Sequence, residues 1–311
     1  MRHLSHAQID KAKWDALVLR SKAPYIYVIS WYLDVACPKW EALVWEKEGR
    51  YEAAIPLPTK RFLLFKWVQM PYFVQQTGLI YENGQVPDPF LTYFFKTEVY
   101  ARYLSFHLPF QSDLCEKVVS LVPRTMSMEF KKNFLLPLSA SYAALYGEYN
   151  ENRRRNLKKA SSKGWKCRLH TDIKAAVDMY TTFQQPKQAV KKGAFDGIIR
   201  IYEAAEKRGA AALYCCEDAY GTPLAYALFL RFGYKIYYMF GAMSEEGRAY
   251  SANSLAFDHV IHQYAEQEYV LDFEGGTKEG IGHYFASFGA TSEEYVRISF
   301  NWFDRLIGHR K

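Results

Sequence analysis

The sequence is poor in cysteine, and the few cysteines present show no paired spacing. Its five cysteines, spread over 311 residues, include no Cys-x-x-Cys pair. An odd and scattered set argues against a disulfide scaffold and provides no zinc motif. We therefore expect reduced cysteines in a cytoplasmic protein. The positions are Cys37, Cys115, Cys167, Cys215 and Cys216.

Long apolar runs are also missing. No stretch approaches the roughly 18 consecutive apolar residues of a membrane-spanning helix. The opening residues, MRHLSHAQIDKAKWD, lack the apolar core of a secretory signal. These two absences predict no integral membrane segment and a cytoplasmic location.

The motifs of several enzyme classes are absent. The run Gly275–Gly280, GGTKEG, lacks the GxxxxGK[ST] order of a phosphate-binding loop, and the chain has no Gly-x-Ser-x-Gly nucleophile turn. His259 and His262 are three positions apart on a predicted helix, without a third ligand in pattern. The sequence therefore predicts no metal site.

The composition is that of a soluble globular protein, with 50% hydrophobic and 23% charged residues. Its length predicts two domains, which we place at residues 1–140 and 141–311. The formal charge of +7 favours an anionic partner, whether a phosphorylated cofactor, a nucleic acid or a membrane surface. The 17% aromatic content is more typical of packing than of a binding surface.

The order of predicted elements in the second half is β-α-α-β-β-β-loop-α-β-α-β. It follows one long helix predicted over residues 141–163, whose second half is strongly basic. An antiparallel meander that leads into a strand-loop-helix-strand crossover must open where the strand direction changes, and a ligand can enter there. This order resembles the layout of the GNAT acyltransferase fold.

The stretch Tyr269–Gly289, YVLDFEGGTKEGIGHYFASFG, is the clearest candidate for a functional site. A short strand brings Asp272 and Glu274 to the rim of a sheet, and two glycines then turn the chain into a short helix that we expect to close at Gly289. An ordinary strand-to-helix connection would give the same pattern. The residues alone leave both interpretations open.

Three segments resemble the FemAB-like branch of the GNAT superfamily, which carries two GNAT-type domains in tandem. They are RRNLKKA at 154–160 followed by Gly164, LDFEG at 271–275, and GIGHYFASFG at 280–289. The likeness covers most of residues 141–300 in order and spacing. In the first half it is architectural, together with the loop from Pro71 to Gly78. It implies a mixed α/β (α+β) fold of two tandem GNAT-like domains, each a splayed mixed sheet flanked by helices.

The sequence departs from the family pattern at two places. The family's aminoacyltransferases carry a lysine after the motif phenylalanine, and this chain has Ala286 after Phe285. Acyl-CoA enzymes of the fold carry an Arg/Gln-x-x-Gly-x-Gly loop, and here only Arg248 fits clearly, with Ser251 and Asn253 where glycines would stand. Both departures concern groups that would stabilise the oxyanion or bind the donor.

The resemblance and the chemistry of acyl transfer suggest roles for particular residues. Glu274 is the first candidate for the base that deprotonates an amine, and Asp272 and His283 are the others. Tyr284, Tyr226 or Tyr238 could protonate the leaving group. The predicted donor loop contains Arg248, Ser251, Ala252 and Asn253. Predicted substrate contacts are Arg154, Arg155, Asn156, Lys159, Gln75 and Gln76, although a solvated helix face explains the basic residues equally simply.

The sequence thus predicts an acyl- or aminoacyltransferase of the GNAT, FemAB-like type. The donor would be an acyl-CoA, such as acetyl-CoA, or an aminoacyl-tRNA. The acceptor would be an amine on a cell-envelope precursor, as in peptidoglycan synthesis, or on a small metabolite. The alternative is a non-catalytic binding module that keeps the cleft without the chemistry, as Ala286 and the glycine-poor loop would suggest.

Overall fold

The computed structural model describes residues 1–21, 24–82, 88–184 and 193–303. The chain divides into two compact units, Met1–Lys131 with Glu294–Lys311 and Lys132–Glu293. The predicted domains, 1–140 and 141–311, differ from these units at both ends of the second unit. That domain division remains a prediction.

The first unit contains short helices and mostly antiparallel strands. Its α-helices and strands up to residue 121 are β1 (Arg2–Leu4), α1 (Lys11–Arg20), α2 (Ser30–Ala36), β2 (Glu41–Lys47), β3 (Arg50–Leu57), β4 (Thr59–Phe62), β5 (Phe65–Val68), β6 (Ile80–Tyr81), α3 (Asp88–Tyr93), α4 (Val99–Arg102), β7 (Ser105–Phe110) and α5 (Cys115–Leu121). A π-helical turn, Phe94–Glu98, joins α3 to α4, and short 3₁₀ helices span His6–Gln8, Ile26–Val28 and Ser112–Leu114.

The remaining elements belong mainly to the second unit. They are β8 (Ser127–Pro137), α6 (Tyr142–Gly147), α7 (Glu151–Ser162), β9 (Lys166–His170), α8 (Ile173–Phe183), α9 (Gly193–Glu206), β10 (Ala211–Glu217), β11 (Pro223–Phe232), β12 (Lys235–Met243), α10 (Glu245–Ala249), α11 (Asn253–Tyr264), β13 (Val270–Asp272), α12 (Glu279–Ala286) and β14 (Thr291–Asn301). Strands β8 and β14 each have residues in both units. None of the helices described here is long and apolar enough to cross a bilayer.

In the first unit, β1, β2, β3 and β6 form an antiparallel sheet in the order β1-β2-β3-β6. Strands β4 and β5 form a hairpin, β5 pairs with β7 in parallel, and β7 pairs with β14 in antiparallel orientation. Phenylalanine dominates the core, with Phe94, Phe95, Phe106 and Phe110 fully buried. The edge-on ring contacts among them explain part of the high aromatic content as packing.

In the second unit the strand order is β8-β13-β12-β11-β10-β9. Strands β9 to β12 pair in antiparallel orientation, whereas β12 and β13 are parallel. Helix α11 packs on this sheet through Phe257, whose ring contacts Phe229 and Tyr238. The predicted meander followed by a crossover is therefore confirmed, and so is the mixed fold class.

The two parallel strands of the second unit pair over a short length only. β12 and β13 pair only at Lys235 with Val270, Ile236 with Leu271, and Tyr237 with Asp272. β13 ends there, whereas β12 continues to Met243. The register of β11 against β12 also shifts at Leu228 and Phe229. Beyond Asp272 the described residues place no strand between β12 and β8, and we call this place the opening of the sheet.

The prediction of one long helix over residues 141–163 is wrong. The structure has two helices, α6 and α7, separated by Glu148, Tyr149 and Asn150. The Asn150 side chain accepts a hydrogen bond from the Arg153 backbone N–H at 2.8 Å and so begins α7 as its N-cap. The apolar stripe continues across the break, and it therefore concealed the cap in the sequence.

Gly289 passes close to this break, because an added Cβ would lie 2.8 Å from the Cβ of Glu148. Its φ of +81° also favours glycine. It lies three residues beyond the end of α12. We expect Gly289→Ala to lower the free energy of unfolding by about 1–3 kcal/mol, measured by urea denaturation.

Gly280→Ala is the matched control within the same segment. An added Cβ there meets nothing within 4 Å, and the residue lies inside α12. We expect this change to leave stability unchanged or to raise it by up to about 1 kcal/mol. Equal stability of the two alanine variants would contradict the close approach at Gly289.

Candidate functional site

Asp272, the last residue of β13, is buried and fully engaged. Its Oδ1 accepts hydrogen bonds from the Asn133 side chain at 3.0 Å and from the Glu274 backbone N–H at 3.1 Å. Its Oδ2 lies 3.1 Å from the Lys235 ammonium, which is also buried. A carboxylate with this many partners positions its neighbours, so its contacts favour a positioning role over that of the base.

Asn133 on β8 holds the turn that follows β13. The side chain donates to Asp272 and, at 3.1 Å, to Glu293, while its oxygen accepts from the Gly275 backbone N–H at 2.8 Å. Asn133 is completely buried. Asn133 could not be identified from the sequence, because its partner Asp272 lies 139 positions away along the chain.

Glu274 lies just beyond the strand, in a strained conformation. Its φ is +60°, in the left-handed region that costs a non-glycine residue about 1 kcal/mol or more. The residue as a whole is half-buried, but its Oε1 is buried and has no hydrogen-bond partner in the described structure. Burial raises the pKa of this carboxyl well above its usual range. Glu274 is thus a strained, poorly solvated acid beside the opening of the sheet.

Aromatic rings pack closely behind this corner. Phe273 and Phe285 have ring centroids 4.8 Å apart, and Phe134 lies 6.3 Å from Phe285. An added Cβ on Gly276 would come 2.4 Å from the Phe134 ring, so only glycine fits the turn. This packing fixes the course of the chain around Glu274 on both sides of the glycine turn.

A second polar cluster joins α7, α11 and α12. The Arg153 guanidinium donates from Nε to the Ser287 hydroxyl at 3.0 Å and from Nη1 to the Ser254 hydroxyl. It also lies over the rings of Tyr284 and Phe288, at 4.3 and 4.5 Å from their centroids. The Tyr284 hydroxyl is 3.1 Å from the Ser254 hydroxyl. The predicted proton donor Tyr284 is therefore held beside a cation.

Arg153 is buried, and burial lowers the pKa of its guanidinium. It forms no ion pair with a carboxylate in the described part of the chain. Buried charges are usually paired, so a guanidinium bonded only to hydroxyls can accept an anionic ligand. Arg153 was not among the substrate residues predicted from the sequence.

The segment predicted as the donor loop is partly helical, because Arg248 lies in α10 and Asn253 is the first residue of α11. The Arg248 guanidinium donates to the Phe183 carbonyl at 3.1 Å, and the Ala252 N–H donates to the Gly247 carbonyl at 2.7 Å. Ser251 has a φ of +55°. Asn253 is buried and donates to the Tyr238 hydroxyl at 2.9 Å, and its own Oδ1 has no partner in the described structure. Asn253 thus retains a buried acceptor, whereas Arg248 is already bonded.

The other predicted residues are more exposed or more distant. His283 is exposed on α12, one residue before Tyr284. Arg154 donates to the Gly147 carbonyl at 3.0 Å, Arg155 to the Asn152 side chain at 2.9 Å, and Lys159 lies 4.4 Å from the Tyr250 ring centroid. Asn156 is half-buried on the same helix. These contacts are typical of a solvated basic face, and they leave the predicted substrate roles untested.

Gln75 and Gln76 lie in the first unit, on the predicted loop between β5 and β6. Gln76 is completely buried and donates to the Gln75 side chain at 2.9 Å. The Oε1 of Gln76 has no hydrogen-bond partner within the described residues. The two amides therefore contact each other, and their predicted contact with substrate remains a prediction.

No group of His, Cys, Asp or Glu side chains in the described ranges could hold a metal ion. A pocket does occur at the amino end of β12, lined among others by Tyr214, Phe229, Ile236 and Tyr264. No residue predicted for the site lines this pocket. The site is therefore best described by the Glu274 corner and the Arg153 cluster.

Residues 148–285 match the family model of the acetyltransferase (GNAT) domain. No curated protein matches the chain in sequence. Among solved structures, FemX is similar in fold, with a TM-score of 0.71 and 13% identity over 99% of both chains.

Two further structures share the fold over nearly their whole length. L-PGS from Bacillus licheniformis has a TM-score of 0.56 and 8% identity, over 97% of both chains. A tandem GNAT protein from the clavulanic acid biosynthesis pathway has a TM-score of 0.55 and 10% identity, over 96% of this chain and 97% of the other. The resemblance seen in the sequence is thus confirmed at the level of the fold: the chain has a tandem GNAT-like fold, and its residues 148–285 match the GNAT acetyltransferase domain.

Proposed function

We propose that the protein transfers an acyl or aminoacyl group from an activated donor to an amine. The observation that carries this proposal is the Glu274 carboxyl, which combines a buried, unpartnered Oε1 with a raised pKa at the opening of the sheet. An amine at neutral pH is largely protonated and must lose a proton before it can attack. A base with a pKa nearer to neutrality than a normal carboxylate suits this step.

We assign the other parts of the reaction to the polar cluster that joins α7, α11 and α12. The amine nitrogen attacks the donor carbonyl carbon, and the tetrahedral intermediate then expels a thiolate or a ribose hydroxylate. Tyr284, with its hydroxyl next to Ser254 and its ring under the Arg153 cation, is suited to protonate that leaving group. Tyr238, bonded to Asn253, is the second candidate for this role. Glu274 takes the proton of the amine.

The donor in this proposal is an acyl-CoA, such as acetyl-CoA, or an aminoacyl-tRNA, with no metal required. Both donors carry phosphates, and the buried Arg153 can pair with an anionic group. The basic outer face of α7, with Arg154, Arg155 and Lys159, supports a tRNA donor. The unpartnered Oδ1 of Asn253, at the start of α11, would accept a hydrogen bond from an amide N–H of an acyl-CoA or from a hydroxyl of a tRNA.

For the acceptor we propose an amine on a cell-envelope precursor, such as one used in peptidoglycan synthesis, or a small metabolite. The similarity to FemX and to L-PGS in fold supports the first choice. The alternative function is a non-catalytic binding module. Ala286, at the position of the family's lysine, favours that alternative, because it removes a cation that would stabilise the oxyanion by roughly 3 kcal/mol.

Thermal-shift measurements can test this proposal with acetyl-CoA, longer acyl-CoAs and aminoacyl-tRNA, using uncharged tRNA and free CoA as references. A ligand at about 100 times its Kd stabilises the folded state by about 2.7 kcal/mol, which gives a readily measured rise in Tm. Turnover of the stabilising donor with an amine would support a transferase. Stabilisation without turnover would support the binding module, and stabilisation by none of these ligands would contradict the donor classes.

The role of Arg153 gives a sharper test of the same proposal. We expect the donor to raise the Tm of Arg153→Gln much less than that of the wild type. The reason is that this variant lacks the buried cation that would pair with an anionic group of the donor. Arg200→Gln, at an exposed position of α9 in the same unit, is the control and should keep the full rise. Each shift is measured against the Tm of the same variant without ligand. Equal donor-induced shifts in both variants would remove Arg153 from the donor site.

A further inference from the structure

The hairpin of β4 and β5 in the first unit ends in four consecutive large apolar side chains that are exposed. Phe62, Leu63, Leu64 and Phe65 have 66%, 74%, 90% and 55% of their surface accessible. Phe62 and Phe65 face each other across the last pair of the hairpin, and the two leucines form the turn. Isolated exposed apolar residues are common, but a run of four at one projecting tip marks an interaction surface.

The turn itself is unfavourable for its sequence. Two-residue hairpin turns usually contain glycine or asparagine where φ is positive, and here Leu63 has a φ of +53°. The chain therefore tolerates strain at a position where glycine would fold more easily. Since neither leucine is buried in its own unit, packing within the protein gives no reason for the strain.

The strands below the tip are basic. The hairpin sequence, TKRFLLFKWV, contains Lys60, Arg61 and Lys66 and no acidic residue. Lys60 donates to the Gln69 side chain at 3.1 Å and Lys66 to Glu41 at 2.6 Å, while Arg61 is exposed. Trp67 is half-buried next to Lys66. An apolar tip with basic and aromatic residues beneath it matches the depth profile of a bilayer surface.

We propose that this hairpin tip inserts into the surface of a membrane containing anionic lipids and holds the protein there reversibly. The four apolar side chains would enter the boundary between headgroups and acyl chains. The cations of Lys60 and Arg61 would remain at the level of the phosphates, with the positive net charge of the chain adding attraction. Reversible binding to a membrane surface needs both apolar insertion and electrostatic attraction, because either contribution alone is weak.

Charge complementarity and the shape of the surface favour a bilayer over a protein partner. A protein interface of ordinary size needs a broad complementary patch, whereas this surface is a narrow projection of a two-residue turn and its neighbours. A bilayer accepts such a projection without a matching groove. A second copy of this chain or another protein remains an outcome that the experiment must distinguish.

The test is co-sedimentation of the protein with phosphatidylcholine vesicles, with and without about one third phosphatidylglycerol, at low and high salt. We expect binding to the anionic vesicles at low salt and weaker binding at high salt. Leu64→Glu should weaken that binding by tenfold or more, because it places a charge at the most exposed apolar position. Lys60→Gln and Arg61→Gln should each weaken it about fivefold on anionic vesicles only.

Two further variants separate binding from folding. Leu169→Glu is the matched control, because Leu169 is a similarly exposed leucine, at 67%, on β9 of the other unit. It should bind vesicles as the wild type does. Leu63→Gly should weaken vesicle binding several-fold with no decrease in Tm, since glycine relieves the backbone strain.

The absence of vesicle binding by the wild type would overturn the proposal, and so would equal loss in Leu64→Glu and Leu169→Glu. Light scattering without lipid distinguishes self-association. A concentration-dependent dimer that disappears in Leu64→Glu would assign the tip to a second copy of the chain instead of a membrane.

Discussion

Glu274→Gln is expected to abolish most of the turnover while the protein stays folded. Glutamine keeps the shape of the side chain but cannot accept the proton of the attacking amine, and loss of a general base costs about 10²–10⁴-fold in rate. The measurement is kcat with the stabilising donor and a saturating amine. This is the largest effect that we expect from any single substitution on activity.

The pH dependence gives a separate readout of the same carboxyl. Because burial raises the pKa of Glu274, the wild-type rate should fall as the pH is lowered through that raised value, well above the ordinary range of a glutamate. In Glu274→Gln the residual rate should lose this limb of the profile. A wild-type rate that follows only an ordinary carboxylate pKa would contradict the assignment.

Glu274→Gln should lose activity without losing stability. A carboxyl with a raised pKa in the folded state destabilises the fold above its unfolded pKa, since the charged form is disfavoured by burial. Glu274→Gln should therefore be as stable as the wild type at neutral pH, or more stable. This excludes unfolding as the cause of lost turnover.

Glu279→Gln is the matched control, because Glu279 is an exposed glutamate in the first turn of α12. It should retain full activity. If Glu274→Gln retains activity and His283→Gln loses it, the base is His283 and the role proposed for Glu274 is wrong.

Local signals in the sequence predicted the strand, the glycine turn and the short helix around Glu274, whereas the catalytic role of Glu274 stays a prediction. Three signals lie within about twenty positions of one another. Alternating apolar residues predict a strand, two adjacent glycines predict a turn, and the spacing of Tyr284, Phe285 and Phe288 predicts a helix. The opening of the sheet also follows from element order, because a parallel strand added to an antiparallel meander must part from it somewhere.

Long-range contacts could not be predicted in the same way. Asn133 contacts Asp272 and Arg153 contacts Ser287 across more than a hundred positions, and neither pair has a spacing that a single sequence reveals. The cap at Asn150 was missed for the opposite reason. Its apolar neighbours keep a helical period across the break, so periodicity outweighed a short polar signal.

The position of Arg153 weakens the argument that Ala286, in place of the family's lysine, leaves this helix without a cation. The Arg153 guanidinium lies over the rings of Tyr284 and Phe288, which flank Ala286 on either side in the sequence. A cation is therefore present next to this helix although the motif position has none. The donor-induced shift of Arg153→Gln thus bears on both donor binding and the alternative of a non-catalytic module.

The largest stability effect should come from Asp272→Leu. This change removes the carboxylate that faces the buried Lys235 ammonium at 3.1 Å, and breaking a buried pair from one side costs about 3–5 kcal/mol. It also removes the acceptor for Asn133 and for the Glu274 backbone N–H. Urea denaturation of the purified variant measures the loss as a lower midpoint at unchanged slope.

Two companion variants determine what Asp272 contributes. The double change Asp272→Leu with Lys235→Met removes both buried charges and should recover a large part of the lost stability, because an apolar pair of similar volume often replaces a buried ion pair at little cost. Asp178→Leu, at an exposed position of α8, should change stability by less than about 0.5 kcal/mol. If Asp272→Leu is as stable as Asp178→Leu, the ion pair with Lys235 does not support the Glu274 corner. In that case Asp272→Asn separates the two contributions. If this variant folds and keeps turnover, the hydrogen bonds that Asp272 accepts from Asn133 and from the Glu274 backbone are enough to hold Glu274 in place.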